Sequence, residues 1–309
     1  MAVTARQHIK RMRGGANAHL MLAADNAYYV IKFRNNPQHP RVLVNELICY
    51  VLLSYLQLPV PDWEIVEVPA RLLEISPELV MEAGRSVRRC EPGLHFGSRY
   101  PVDPLRQAVY DYLPLSLLRV VLNADSFCGM LAFDKWVSNA NGRQAVFFRD
   151  RARRWLPAVE AVSLHPSLAA SSSSMGPGIP PRPGISPRSL VYVAAMIDHG
   201  FAFEAQNWSF SDSPERGLYS RREVYERVRG FAAFEPWLDR ICHCSSSVLD
   251  DVYKKVPPQW HGGEWDSLEA LLEQLYRRRS RVPDLVRDAK NAGRDPFPNW
   301  STAATAVAR

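Results

Sequence analysis

The sequence predicts an α+β fold with two lobes, a small β-rich one over residues 1–98 and a mostly helical one over residues 99–300. Three observations predict it. Two short apolar runs at 20–23 and 28–33 flank the turn Asp25-Asn26-Ala27, which is the pattern of a β-hairpin. Residues 42–56 are apolar for too long to be a strand and read as a largely buried helix. Beyond residue 220, four segments (222–229, 234–241, 248–256 and 268–281) repeat apolar residues at helical spacing. A chain of 309 residues with 47% hydrophobic content has room for one large domain or two lobes with a real core.

The N-terminal half is taken first. Gly14-Gly15 lies in a small, basic stretch ahead of the hairpin, where bare backbone N–H groups can approach a ligand closely. Lys32 ends the second hairpin strand, Tyr28-Tyr29-Val30-Ile31-Lys32-Phe33, and a lysine among apolar neighbours is costly unless it is paired. Glu46 is the single acid in the apolar helix and the nearest candidate partner. Pro59-Val60-Pro61 closes that helical region, residues 63–68 alternate apolar and charged residues as a half-buried strand, and 79–83 is a further strand. The stretch 90–104, with Gly93-Leu94-His95-Phe96-Gly97-Ser98, reads as the passage between lobes, and 109–133 as mostly helical.

The centre of the chain is residues 133–148. A helix end, Phe133-Asp134-Lys135-Trp136-Val137, leads into a polar turn at 138–144 and then a short strand at 145–148. A second apolar strand, 191–197, ends in Asp198-His199-Gly200. Helix, polar loop, strand, strand and Asp-x-Gly is the order in which kinase-like folds assemble a phosphoryl-transfer centre, and Val-Ile-Lys matches their phosphate-pairing strand. Between the two strands, residues 158–188 hold four consecutive serines and many prolines and glycines, the composition of a disordered insertion at a hairpin tip. The segment 301–309 reads as a frayed tail after Asp295-Pro296-Phe297-Pro298-Asn299-Trp300.

Bulk properties exclude little. The net charge of +6 tolerates a nucleotide or nucleic-acid partner but suits an ordinary basic protein as well. The triplet Arg277-Arg278-Arg279 has no interleaved aromatic residues and reads as a solvated helix end, which argues against nucleic acid. No apolar run has the ~18 residues of a membrane span, and the first ten residues have no apolar signal core. Five scattered cysteines fit reduced thiols in a cytosolic protein, and Cys242-His243-Cys244 lacks a second pair at zinc spacing.

The ordered set of residues resembles the HipA-like protein kinase family, in its short branch with a kinase core alone. The likeness is carried by residues 29–33, Asn45-Glu46-Leu47, Leu58-Pro59-Val60-Pro61, residues 95–100, 133–147, 197–201 and 295–300. The resemblance implies a two-lobed kinase-like fold, ATP with Mg2+, and a Ser/Thr-type hydroxyl, on a protein or small molecule, as acceptor. It also implies that the chain begins at its Gly-containing loop, without the extra N-terminal subdomain of the founding members. By position, Gly14 and Gly15 would cover the phosphates, Lys32 would hold the α/β phosphates, Glu46 would orient Lys32, and Asp198 would bind the metal.

One departure stands at the catalytic loop. The family's Asn-x-Asp-Gly reads Asn139-Ala140-Asn141-Gly142 here, so Asn141 occupies the base position, and an amide cannot accept the substrate proton as a carboxylate does. Where longer members place a metal-binding Asn stands Val146, with Gln144 the closest amide. A second register, Asp134 with Asn139 after it, reproduces the Asp-x-x-x-x-Asn spacing of protein-kinase loops. Two functions are compatible with this loop: a kinase weakened at its base, or a pseudokinase that binds nucleotide or protein.

Overall fold

β1 (Val3–Arg11), β2 (His19–Ala23) and β3 (Tyr28–Lys32) form an antiparallel meander. Next come α1 (Val42–Tyr55), β4 (Trp63–Val68), α2 (Ala70–Ile75), a small hairpin of β5 (Val80–Ala83) with β6 (Ser86–Arg89), and β7 (Gly93–Arg99). The computed structural model describes residues 2–155, 186–293 and 295–300. The expected disordered insertion falls almost wholly on 156–185 and the expected frayed tail on 301–309, both outside the described residues.

Five strands close into a barrel in the order β1-β2-β3-β7-β4. β7 is its keystone, hydrogen-bonded to β3 on one side and β4 on the other. This corrects the expectation that residues 90–104 are a loop-rich passage. Of the two glycines that suggested a loop, Gly97 marks a close approach instead: a Cβ there would lie 2.4 Å from Val66 Cγ2 and 3.3 Å from the Tyr29 ring. β1 is also absent from the sequence reading, because three arginines and lysines interrupt its alternation and Ala5 is its one fully buried residue.

The remaining helices and strands are α3 (Leu115–Leu118), α4 (Ser126–Trp136), β8 (Gln144–Arg151), β9 (Leu190–Ile197), α5 (Trp237–Cys242), α6 (Ser246–Lys255), α7 (Pro258–His261), α8 (Trp265–Arg278) and α9 (Val282–Asn291). β8 and β9 pair antiparallel in register from Gln144↔Ile197 to Arg151↔Leu190. The stretch 109–133 is less helical than its composition suggests. Asn123 breaks it by pairing with β9 as a strand residue would, its amide donating to Ala194 O and its carbonyl accepting from Ala194 N, both at 2.8 Å. Residues 222–229 form only a 3-10 turn, Arg222–Tyr225. α9 escapes the sequence reading because Pro283 looks like a breaker, yet it sits in the first helical turn, where a missing N–H costs nothing.

α1 is buried at every position from Val42 to Leu53. Its apolar side chains share one core with α4, the inner face of the β8–β9 hairpin and the C-terminal helices, while the barrel interior, with Met21, Tyr29, Ile31 and Val66, is a separate cluster. Phe297 is fully buried against Tyr225 and Phe234, which ties the end of the described chain into the helical part.

Candidate functional site

Three charged side chains from three distant elements meet. Lys32 ends β3, Glu46 lies in the second turn of α1, and Asp198 comes immediately after β9. Lys32 Nζ donates to Asp198 Oδ1 at 2.7 Å and makes a short ion pair with Glu46 Oε1. Glu46 Oε1 also accepts the backbone N–H of His199 at 3.0 Å, so the helix acid holds both the lysine and the turn after β9. Asp198 takes a left-handed conformation, φ 63°, which turns the chain sharply at the strand end. Asn45 fixes the backbone beyond that turn. Its amide donates to the carbonyls of Gly200, Ala202 and Ala205 at 2.8–3.0 Å, and its own carbonyl accepts Trp208 Nε1 at 2.8 Å.

The electrostatics are set by burial. Burial alone would pull Lys32 toward neutrality, but Asp198 and Glu46 outweigh it and hold the ammonium above its ordinary value. Lys32 in turn holds Asp198 below the ordinary carboxylate range, while burial pushes Glu46 up. One cation thus serves two carboxylates, leaving a site that favours added positive charge. Asp198 Oδ2 has no hydrogen-bond partner among the described residues, and the Asp198 side chain is 18% exposed. A single open carboxylate oxygen fits magnesium, which commonly takes one or two protein carboxylates and draws its other ligands from phosphates and water. Among the described residues no group of three or more His, Cys, Asp or Glu could hold a metal, the Cys242-His243-Cys244 stretch included.

The polar loop after α4 is built on Asp134. Arg143 forks onto its carboxylate, with Nε donating to Oδ2 at 2.8 Å and Nη2 to Oδ1. Asn139 Nδ2 adds a third bond to Oδ1 at 3.0 Å, and Asp134 is fully buried. Arg143 also donates to Ile197 O at 2.7 Å, which ties the loop to the strand that carries Asp198. Asp134 therefore presents no open oxygen, and the register in which it would act as base loses its geometric support. Asn141 is half-buried in the same loop, its N–H bonded to Asn139 Oδ1 at 3.1 Å, and Ala140 N–H reaches Phe201 O at 3.0 Å.

Gln144 is the exposed first residue of β8, paired with Ile197 and so one position from Asp198 along the ladder. Val146, on the same face, is buried. Gly14 and Gly15 lie in the β1–β2 loop, which Met12 N closes onto Ala18 O at 2.8 Å and Asn36 ties down through Ala16 O at 2.7 Å. Sequence reasoning gives no role to Arg143, Asn45 or Asn36, although the first and second lie in stretches that carry the resemblance, since a polar residue shows its partner only when the partner is in place. A cavity of about 650 Å³ opens elsewhere, among Glu215, Tyr219, Arg221, Glu223, Glu226 and Pro298. It adjoins the loop through the bridge between Tyr219 and Arg143.

A family model described as HipA-like kinase matches residues 6–146. Over these residues the chain is similar to HipA-like kinases. The HipA-like stretch holds Lys32, Glu46 and the whole polar loop, and ends before Asp198. It supports a kinase-type, transferase function. Among solved structures, the crystal structure of the Golgi casein kinase is 10% identical, covering 94% of this chain and 73% of that one at a TM-score of 0.47. The same kinase with Mn/ADP bound is 10% identical, covering 93% and 72%, at 0.44. No curated protein matches.

Proposed function

We propose that the chain is a two-lobed, kinase-like ATP-dependent phosphotransferase whose acceptor is a Ser/Thr-type hydroxyl and whose transfer step is slowed by Asn141 at the base position. The observation that carries this reading is Lys32 bridging Glu46 and Asp198, a contact between β3, α1 and the end of β9. In this reading residues 1–98 and 99–300 are the two lobes. Lys32 binds the α/β phosphates of ATP, Glu46 holds Lys32 in place, and the loop at Gly14-Gly15 covers the phosphates. Asp198 holds Mg2+, with Gln144 as the nearest amide. The chemistry the metal supplies when bound is neutralisation of phosphate charge. Asp134 anchors Arg143 and so shapes the loop that presents Asn141.

Phosphoryl transfer depends mainly on positioning and charge, so loss of the base slows it by roughly 10²–10⁴-fold and need not abolish it. A pseudokinase is the second reading, favoured by the two departures Asn141 and Val146. Thermal shift with Mg-ATP, together with labelled-phosphate transfer, separates them. The native chain is expected to be stabilised by Mg-ATP, and Asp198→Ala to remove that effect. Asn141→Asp is expected to leave nucleotide binding unaltered and to raise the transfer rate, because only the transition state uses the base. Binding without transfer in either form leaves the pseudokinase reading, and absence of any magnesium-dependent stabilisation discards both.

A further inference from the structure

Shortly beyond Asp198 the backbone does something unusual for L-residues: Phe203, Glu204 and Ala205 are consecutive and all left-handed, with φ of 57°, 57° and 60°. Such conformations persist only where the surroundings over-determine them. Here Glu204 points its carboxylate back at the polar loop. Its Oε1 accepts from Ser138 Oγ at 3.1 Å and Ser211 Oγ at 2.6 Å, and pairs with Arg216. Ser138 is buried, itself left-handed at φ 48°, and immediately precedes Asn139. Its Oγ accepts from Ser211 N at 3.1 Å and Arg216 Nη1 at 3.3 Å, so the single hydroxyl proton is shared between Glu204 and Ser211 O.

The same segment is tied at further points. Lys135 donates to Ser213 O at 2.6 Å and Pro214 O at 2.8 Å, and Asp212 pairs with Arg278 and Arg281 at 2.7 and 2.6 Å. Gly217 lies so close to Asp134 that a Cβ there would sit 2.3 Å from Asp134 Cβ. We propose that Glu204, through Arg216 and the Ser138 hydroxyl, is a positioning residue that locks residues 204–219 against the loop bearing Asn141. The chain's own carboxylate then holds in place the segment that also lines the neighbouring cavity, with no added charged group required. The positioning role in catalysis rests on the kinase reading, but the mechanical coupling does not.

Hydrogen–deuterium exchange on the full chain tests the coupling without any acceptor. In Glu204→Ala, exchange is expected to speed up about tenfold or more in both 204–219 and 137–143, the scale of a lost charge-assisted hydrogen bond, with the β1–β7 barrel unchanged. The exchanged pair Glu204→Arg with Arg216→Glu is expected to restore protection in both segments. Faster exchange confined to 204–219, or no change, overturns the proposal, as does failure of the exchanged pair to restore protection while its barrel stays native. Mg-ATP thermal shift is run alongside. It should be retained in Glu204→Ala, since Lys32 and Asp198 are untouched, and its absence from the native chain would count against the kinase reading alone.

Discussion

At the scale of single residues, the buried charges set the terms. Lys32 is the cation between the buried Glu46 and the partly exposed Asp198, and removing it leaves the two carboxylates facing each other in a poorly solvated site. Lys32→Met is expected to cost about 3 kcal/mol, measured by urea unfolding, since breaking one partner of a buried pair strands the other. Adding Asp198→Asn should recover part of that loss, because neighbouring charges are not additive. A loss within 0.5 kcal/mol, roughly the ordinary surface value, would sink the idea that this contact is structural as well as chemical.

Lys135 offers a test in pH. Burial, only partly countered by Asp134, lowers its pKa from 10.5 to about 8. Below pH 8 both folded and unfolded chains carry the charged lysine, and the folded chain bears the full desolvation cost. Between 8 and 10.5 the folded chain has released the proton and the unfolded chain retains it, so stability rises with pH. The difference in stability between the native chain and Lys135→Met should therefore shift in favour of the native chain across about pH 8 to 10, and stay flat below. Urea midpoints for both proteins measure it, and other titrating groups cancel in the difference. A flat difference throughout would mean that Lys135 keeps an ordinary pKa.

At the scale of elements, β7 depends on what Gly97 lacks. Gly97→Ala is expected to cost about 1–3 kcal/mol through overpacking against Val66. Pairing it with Val66→Ala, which removes the clashing methyl, should recover much of that cost, and urea unfolding of the three variants decides it. The β8–β9 hairpin makes a different prediction. It is closed by the pairing of Arg151 with Leu190 and by bonds from Ala152 N to Ser189 O and Arg153 N to Pro187 O, each 2.9 Å. Replacing residues 158–184 with a short turn is expected to change stability by less than about 1 kcal/mol, because closure entropy varies slowly with loop length. A larger loss would show that the connection packs on the rest of the chain.

At the scale of the whole molecule, α1 joins what the chain order separates. It comes after the first three barrel strands, yet its side chains pack in the same core as α4 and the C-terminal helices, and Arg41 at its start pairs with Glu264 at 2.6 Å. The barrel and the helical part are expected to unfold in one transition, with fluorescence and far-UV circular dichroism coincident in urea. Two separated transitions would mean that the shared core is weaker than its burial implies.

The elements with strong local signals were legible in the chain alone: the β2–β3 hairpin, α1, β4, the α4–loop–β8 passage and β9 each announce themselves by periodicity or by a long apolar run. So were three anomalies, a lysine in an apolar strand, a lone acid in an apolar helix and an acid closing an apolar strand, since each is costly without a partner. What the linear order could not supply was the partner. Lys32 and Asp198 are 166 positions apart, and only closure of the barrel onto α1 and of α1 onto the β8–β9 hairpin brings them together. The same limit hid β7, whose Gly97 looks like part of a loop until Val66 is seen against it. It also hid the pairing of Asp134, because that carboxylate looks open until Arg143, 9 positions on, folds back over it. Local propensity acts over a few residues and leaves its mark in the sequence, whereas close approach and charge pairing depend on distance in space, which the tertiary structure decides.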